Sequence, residues 1–268
     1  MPRQRRQPLI AAASLALLAA TGCRSTPPAA ADAGGPPAGG ASGKPAAFDE
    51  EPRLLTQLLR GQEEDRGAVI RQAFDRSDAD RRQDAVRRIA AAGWGGQPEV
   101  LPLYRLLLTD PDSTVRAAAV SALARHGGPG DADVVAAQLA QPAPFLRWEA
   151  AKALRRLPGE ATVPPLLDAL LEDEDAGTRV AAAEALGRYR RRDVYEALRR
   201  ALLDADFAVV AAAAESLATL TGEDLGSAPE PWRTLAEQKG ANLFADARPY
   251  VPRDYREPPG FFGRLLGR

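Results

Sequence analysis

His126 is the only histidine in this chain of 268 residues, so a general base or metal centre built on imidazole would have to be built there. It stands directly before Gly127-Gly128-Pro129. Helix C-termini favour His followed by Gly, because the last carbonyls attract positive charge and the chain must turn out of the helix. His126 is therefore read as a cap or surface residue. There is no Cys-His spacing suited to zinc, no phosphate-cradling glycine loop, and no serine with a histidine to activate it. Asp173, Glu174 and Asp175 share one turn, where carboxylates cap helices and meet water. The expectation is of no catalytic residue, no metal ligand and no cofactor, and so of a protein that is not an enzyme.

Binding chemistry is better represented. Arg188, Arg190, Arg191 and Arg192, with Arg199 and Arg200 close behind, form a basic knot. Such a knot is either a solvated face or a site for an acidic protein, a lipid headgroup or an envelope polymer. Trp148, Tyr250 and Tyr255 are aromatic candidates for partner contacts, although a tryptophan wedged between helices is the commoner case. The chain as a whole carries 35 basic and 36 acidic residues; without Arg3, Arg5 and Arg6 the balance is 32 against 36, or minus four. That balance disfavours nucleic acid as a partner.

The elements that position these residues recur. The pattern Arg-x-x-Ala-x-x-x-Leu falls on Arg116, Ala119 and Leu123, then on Arg147, Ala150 and Leu154, and on Arg179, Ala182 and Leu186. Variants occur at Arg82, Ala85 and Ile89, and at Val210, Ala213 and Leu217, where the arginine is lost. The last position of the pattern repeats after 34, 31, 32 and 31 residues, which is the period of a helical solenoid. Phe74, Leu108, Leu139, Leu171 and Leu202 each lie eight residues before the arginine position and close a first helix. Turn residues follow at Asp110-Pro111-Asp112, at Gln141-Pro142 and at 173–175. Each unit thus reads helix, tight turn, helix. Alanine crowds the second helices, where it favours helix and lets neighbours approach closely.

This pattern resembles the HEAT-repeat family, on the strength of an Asp in the inter-helix turn, Asp110 or Asp173, with Arg116 or Arg179 six positions later and then alanines and a leucine. The resemblance spans roughly 66–222 and implies an all-α, right-handed superhelical solenoid of about five helical-hairpin repeats. It also implies a structural ladder between neighbouring repeats, formed here by Asp110, Arg116, Arg147, Asp173 and Arg179. Gln141 replaces one Asp and Val210 one Arg, so the ladder should break there. The family's deoxyhypusine hydroxylases carry repeated His-Glu pairs for two irons, and no such pair occurs here. The bilin lyases share only the generic repeat.

The flanking segments divide the chain further. Residues 1–22 read as an export signal, with Arg3, Arg5 and Arg6 ahead of an apolar stretch over 9–20 that is too short to span a bilayer as a helix. Ala20-Thr21-Gly22-Cys23 resembles a bacterial lipobox, which implies acylation of Cys23; an ordinary signal-peptide cleavage site would give the same cut. Cys23 is the only cysteine, so no intramolecular disulfide can form. With Arg24 rather than Asp after it, the resemblance implies the periplasmic face of the outer membrane. Residues 23–47 read as a disordered Pro/Ala/Gly tether, 48–66 as an N-terminal capping helix and 67–222 as the solenoid. Residues 223–243 read as a C-terminal cap in which Trp232 covers the last repeat, and 244–268 as an extended aromatic and proline-rich tail lying on the solenoid or on a partner.

The function expected from all this is a non-enzymatic protein-binding scaffold held to the membrane by its N-terminal lipid, with an unidentified envelope protein as partner. An enzyme-maturation factor of the lyase-helper type and a structural spacer are the alternatives.

Overall fold

The computed structural model describes residues 47–60 and 64–252. The stretch read as an export signal, Cys23, nearly all of the stretch read as a tether, Tyr255 and the rest of the tail beyond 252 lie outside the described residues. Every regular element that is described is helical. The first helix, α1 (Ala47–Leu59), ends where its leucine stripe ends, since no large apolar side chain follows Leu59 until Val69. The capping helix expected over 48–66 is accordingly split, and α2 opens at Glu64 rather than at Gly67. Helix α1 packs on α2 (Glu64–Gln72) and on α4 (Leu101–Leu107).

Five hairpins follow. The first pairs α2 with α3 (Ala79–Ala91), and the second pairs α4 with α5 (Ser113–His126). The third joins α6 (Ala132–Ala136) to α7 (Pro144–Leu154), the fourth α8 (Val163–Glu172) to α9 (Ala176–Leu186), and the fifth α10 (Arg192–Ala201) to α11 (Phe207–Thr221). The second helices stack in order, α3 on α5, α5 on α7, α7 on α9 and α9 on α11. Ala85, Ile89, Ala119, Leu123, Ala150, Leu154, Ala182, Leu186, Ala213 and Leu217 are all completely buried. The residues that define the sequence period are thus the ones that form the continuous core, each hairpin being completed by its neighbours.

The third hairpin departs from the expected form. Leu139 closes a 3-10 turn, Ala137–Ala140, after an α6 of only five residues. The segment starts from another 3-10 turn at Pro129–Asp131 and carries two adjacent β-branched residues, Val134 and Val135, which are weak helix formers. Asp131 anchors it, with its buried carboxylate accepting from Arg105 Nε of the second hairpin at 2.6 Å and from the Gly128 amide at 3.0 Å.

The ladder runs forward from each repeat to the next. Arg82 places Nε and Nη2 on the two oxygens of Asp110 at 2.8 and 2.9 Å. Arg147 meets Asp173 in the same way at 2.7 and 2.9 Å, and Arg179 meets Asp204 at 2.8 and 2.9 Å. The parallel two-point contact suits the planar guanidinium. Asp204, six positions before Val210, is a rung that the sequence analysis did not name. Arg116 has Gln141 where its carboxylate should be, and the ladder breaks there as expected; its Nη1 bonds the Asp110 and Pro111 carbonyls, while its buried Nε has no hydrogen-bond partner among the described residues. The same turn lacks a helix cap. Asp78, Asp112, Asp175 and Asp206 cap α3, α5, α9 and α11 through their side chains, whereas Ala143 before α7 cannot.

Beyond α11 the chain turns at Gly222, whose φ of 80° is easy only for glycine. Helix α12 (Pro229–Lys239) then packs on α10. Trp232 is completely buried, its Nε1 donating to the Gly226 carbonyl at 2.9 Å and its own carbonyl accepting from Tyr195 Oη at 2.6 Å.

Candidate partner-binding face

Each second helix turns two positions of the repeat outward, the fifth and the ninth after the motif arginine, which lie four apart and so on one face. In α5 these are Ser121 and Arg125, and in α7 they are Lys152 and, just past the helix end, Arg156. In the fourth hairpin they are Glu184 and Arg188, and in the fifth Glu215 and Thr219. Arg125, Arg156 and Arg188 thus form a stripe across three successive repeats. Only Arg188 of the three was singled out in the sequence, although counting nine residues from each motif arginine would have found the others.

Two grooves open on this face. One, of about 470 Å³, lies between α5 and α7 and is lined by Ser121, Ala124, Arg125, Glu149, Lys152, Ala153 and Arg156. Lys152 lies 3.5 Å from Glu149 and 4.6 Å above the Trp148 ring. The other lies between α9 and α11 and holds the chain's own residues 250–252. There the Arg248 amide donates to the Thr219 carbonyl at 2.7 Å, and Tyr250 Oη donates to the Glu184 carbonyl at 3.0 Å. Arg188 stacks 5.1 Å over the Tyr250 ring. Gly187 allows the close approach of the two helices, since a Cβ there would come within 2.9 Å of Ser216 Oγ.

The other sequence candidates take varied places. Trp148 is half-buried, edged by Phe145 at 5.7 Å and close to Gly177 of α9, as a wedge between the third and fourth repeats would be. Arg188 donates to the Arg155 carbonyl at 3.1 Å, and Arg155 itself pairs with Glu184. The basic knot is largely compensated. Arg191 bonds Asp193 at 2.6 and 3.0 Å and Glu160 at 3.3 Å, which raises its pKa above the usual arginine value. Arg192 and Arg199 both reach Glu196. Arg190 is exposed. Tyr250 lies on the chain's own groove rather than standing free, while Phe244, at the start of the tail, meets Tyr195 of α10 edge-on at 6.4 Å.

His126 does more than end a helix. Its Nε2 lies 2.7 Å from the Ala90 carbonyl, an acceptor only, so Nε2 carries the proton; the ring stacks on Tyr104 at 6.3 Å and ties the second repeat to the first. Among the described residues no three His, Cys, Asp or Glu side chains converge as metal ligands would, and no helix is long and apolar enough to cross a membrane.

A stack of helical hairpins joined by Arg-Asp rungs defines an α-solenoid. The HEAT-repeat profile matches residues 67–155 and 163–229, more than half of the chain, and the protein belongs to the HEAT-repeat family. The profile of the PBS lyase HEAT-like repeat also matches residues 146–172. No curated protein matches the chain. Among solved structures, the YibA protein of Escherichia coli shares 16% identity over 75% of this chain and 82% of its own, with a TM-score of 0.50. An engineered protein shares 22% identity over 62% of this chain and 77% of its own at a TM-score of 0.43. Human deoxyhypusine hydroxylase shares 16% over 64% and 96% at 0.31. Identities this low speak for the fold alone.

Proposed function

We propose that this HEAT-repeat chain is a non-enzymatic binding scaffold, anchored through a lipid on Cys23 in the bacterial cell envelope and presenting the outer face of its second helices to a protein partner. The observation that carries the reading is the division of labour among its arginines. Arg82, Arg147 and Arg179 hold repeat to repeat, whereas Arg125 and Arg156 point outward beside an open groove and join nothing in the ladder. Solenoids use extended faces of this kind for binding. The anchor rests on Ala20-Thr21-Gly22-Cys23 and the apolar stretch before it.

Crosslinking in intact cells followed by mass spectrometry tests the scaffold. A defined partner should crosslink to residues of the second helices, and its absence from repeated experiments would sink the reading. Detergent phase partition tests the anchor separately: the protein should enter the detergent phase and leave it on Cys23→Ser. Release by a mild salt wash would contradict the lipid.

A further inference from the structure

At three of the joints between repeats, one carboxylate collects the same three donors. Asp110 accepts from Nε and Nη2 of Arg82 and from the Asp112 amide two residues on, the last at 2.9 Å. Asp173 accepts likewise from Arg147 and from the Asp175 amide at 2.9 Å, and Asp204 from Arg179 and from the Asp206 amide at 2.8 Å. The second joint keeps the donors and lacks the acceptor. Arg116 is held as its counterparts are: its Nη1 bonds the Asp110 and Pro111 carbonyls, as Arg147 Nη1 bonds those of Gln141 and Pro142 and Arg179 Nη1 those of Asp173 and Glu174. Its buried Nε has no hydrogen-bond partner among the described residues, and the Ala143 amide follows Gln141 where its equivalents follow an aspartate. A guanidinium is thereby fixed with its carboxylate-binding edge toward a turn that carries no carboxylate.

That turn has changed in a second respect. Where the second repeat reads Pro111-Asp112-Ser113-Thr114 and the fourth Glu174-Asp175-Ala176-Gly177, the third reads Pro142-Ala143-Pro144-Phe145. Pro142, Pro144 and Phe145 are exposed, Phe145 by 48%. Two prolines stiffen the turn, so that little freedom is lost when another chain covers it. An arginine edge beside an exposed aromatic ring is the composition of an interface hot spot, and the half-buried Trp148 lies 5.7 Å behind that ring. The polar turns at the other joints satisfy their arginines from within and offer no such surface.

We infer that the second joint is a docking site for an Asp or Glu side chain of a partner protein, which completes from outside the rung that Gln141 does not make. Gln141 is half-buried and uncharged, and a change of its rotamer gives the incoming carboxylate access to Arg116. The carboxylate takes Arg116 Nε and Nη2 and the Ala143 amide, while Pro142, Pro144 and Phe145 are covered by apolar groups flanking it. A carboxylate is the ligand because the same guanidinium pose takes one at the other three joints, and a planar two-point contact is specific for it. The inference rests on the scaffold reading and gives it a site, at the leading ends of α5 and α7, and a class of ligand.

The test follows the arginine Nε–H signals of the full chain by NMR, with the Arg116 signal identified by its loss in Arg116→Lys. The probe is a blocked peptide of residues 108–113, the turn that presents Asp110 to Arg82, and its control carries Asn at both Asp positions. The Arg116 signal should shift and saturate with the Asp peptide and stay in place with the Asn peptide. Gln141→Asp supplies the carboxylate from within, so it should shift the signal before any peptide is added and weaken peptide binding at least about tenfold. Phe145→Ala should weaken it about threefold, while Arg87→Glu, on the exposed side of α3, should leave it unchanged; circular dichroism confirms that each variant is folded. An Arg116 signal that ignores the Asp peptide, or answers both peptides alike, would overturn the assignment. So would a response to inorganic phosphate without one to the peptide, which would make the ligand a phosphate group. Unchanged affinity in Phe145→Ala would also overturn it, by reducing the site to bare anion binding with no protein surface. If the peptide fails to bind while a partner still crosslinks to the second helices, this assignment falls and the scaffold stands.

Discussion

Four joints connect the five repeats, and the second differs from the other three. At the first, third and fourth, a guanidinium from one repeat takes both carboxylate oxygens of the next. At the second, Arg116 reaches only the carbonyls of its own turn, and the following turn reads Gln141-Pro142-Ala143 where its predecessor reads Asp110-Pro111-Asp112. Both the rung and the helix cap are lost together. The joint still closes, because Val120, Leu123, Ala150 and Leu154 remain completely buried and Arg105 reaches Asp131 on the first-helix side. Packing therefore makes the stack, and the rungs fix how firmly adjacent hairpins are held. Local opening should be easiest at the second joint.

The comparison is tested most severely by removing the most buried rung. Asp110→Ala leaves Arg82, only 8% exposed, without its carboxylate and should cost about 3–5 kcal/mol in urea unfolding. A loss below about 1 kcal/mol would show that rungs matter little anywhere. Asp204→Ala removes a rung with more access to water and should cost less, about 1.5–3 kcal/mol. Gln141→Asp with Ala143→Asp rebuilds the preceding turn in place of the defective one, giving Arg116 a carboxylate and α7 a cap. A gain of roughly 1–2 kcal/mol is expected, together with slower hydrogen exchange at this joint; no gain would mean that the gap there is too wide for a rung.

The smallest effect is with pH. Burial pushes the Asp173 carboxyl up, but the hydrogen bonds from Arg147 and the Asp175 amide, with the charges of Arg147 and Arg179, together hold it below the usual carboxylate value of 3.8. Asp204 is lowered chiefly by its hydrogen bond from Arg179. A depressed folded value means that the stabilisation is complete above 3.8 and is lost as pH falls through the lower folded values. Asp204→Asn should therefore make acid unfolding below that point less steep. An unchanged acid profile would contradict a role for this rung in it.

The solenoid was legible because its core is periodic: the alanines and leucines that set the sequence repeat are the buried residues. The broken rung was legible too, from Gln141 alone. Asp204 was not, because it answers the arginine of the preceding repeat, and attention fell on the arginine missing from its own. The short α6 was hidden because Leu139 keeps its place in the period whether the backbone around it is α or 3-10. Charge in sequence misled most. Arg188, Arg191 and Arg192 are near neighbours in the chain, yet helix geometry sends Arg188 to the groove, while Arg191 and Arg192 go to separate carboxylates. The groove residues, in contrast, lie about thirty apart, as the helical repeat places equivalent positions. The tail has no period, and the course of its described residues, 244–252, follows surfaces at Gly187 and Gly222 that only the folded repeats create.

The rungs have a polarity, since every guanidinium reaches toward the C-terminus for a carboxylate placed 25 to 28 residues later. An array built this way could be lengthened indefinitely, each new unit answering the last and making the same demand of the next. Val210 makes no such demand. The fifth repeat receives Arg179 through Asp204 and passes no rung on from Val210, and beyond it the buried Trp232 of α12 packs on α10.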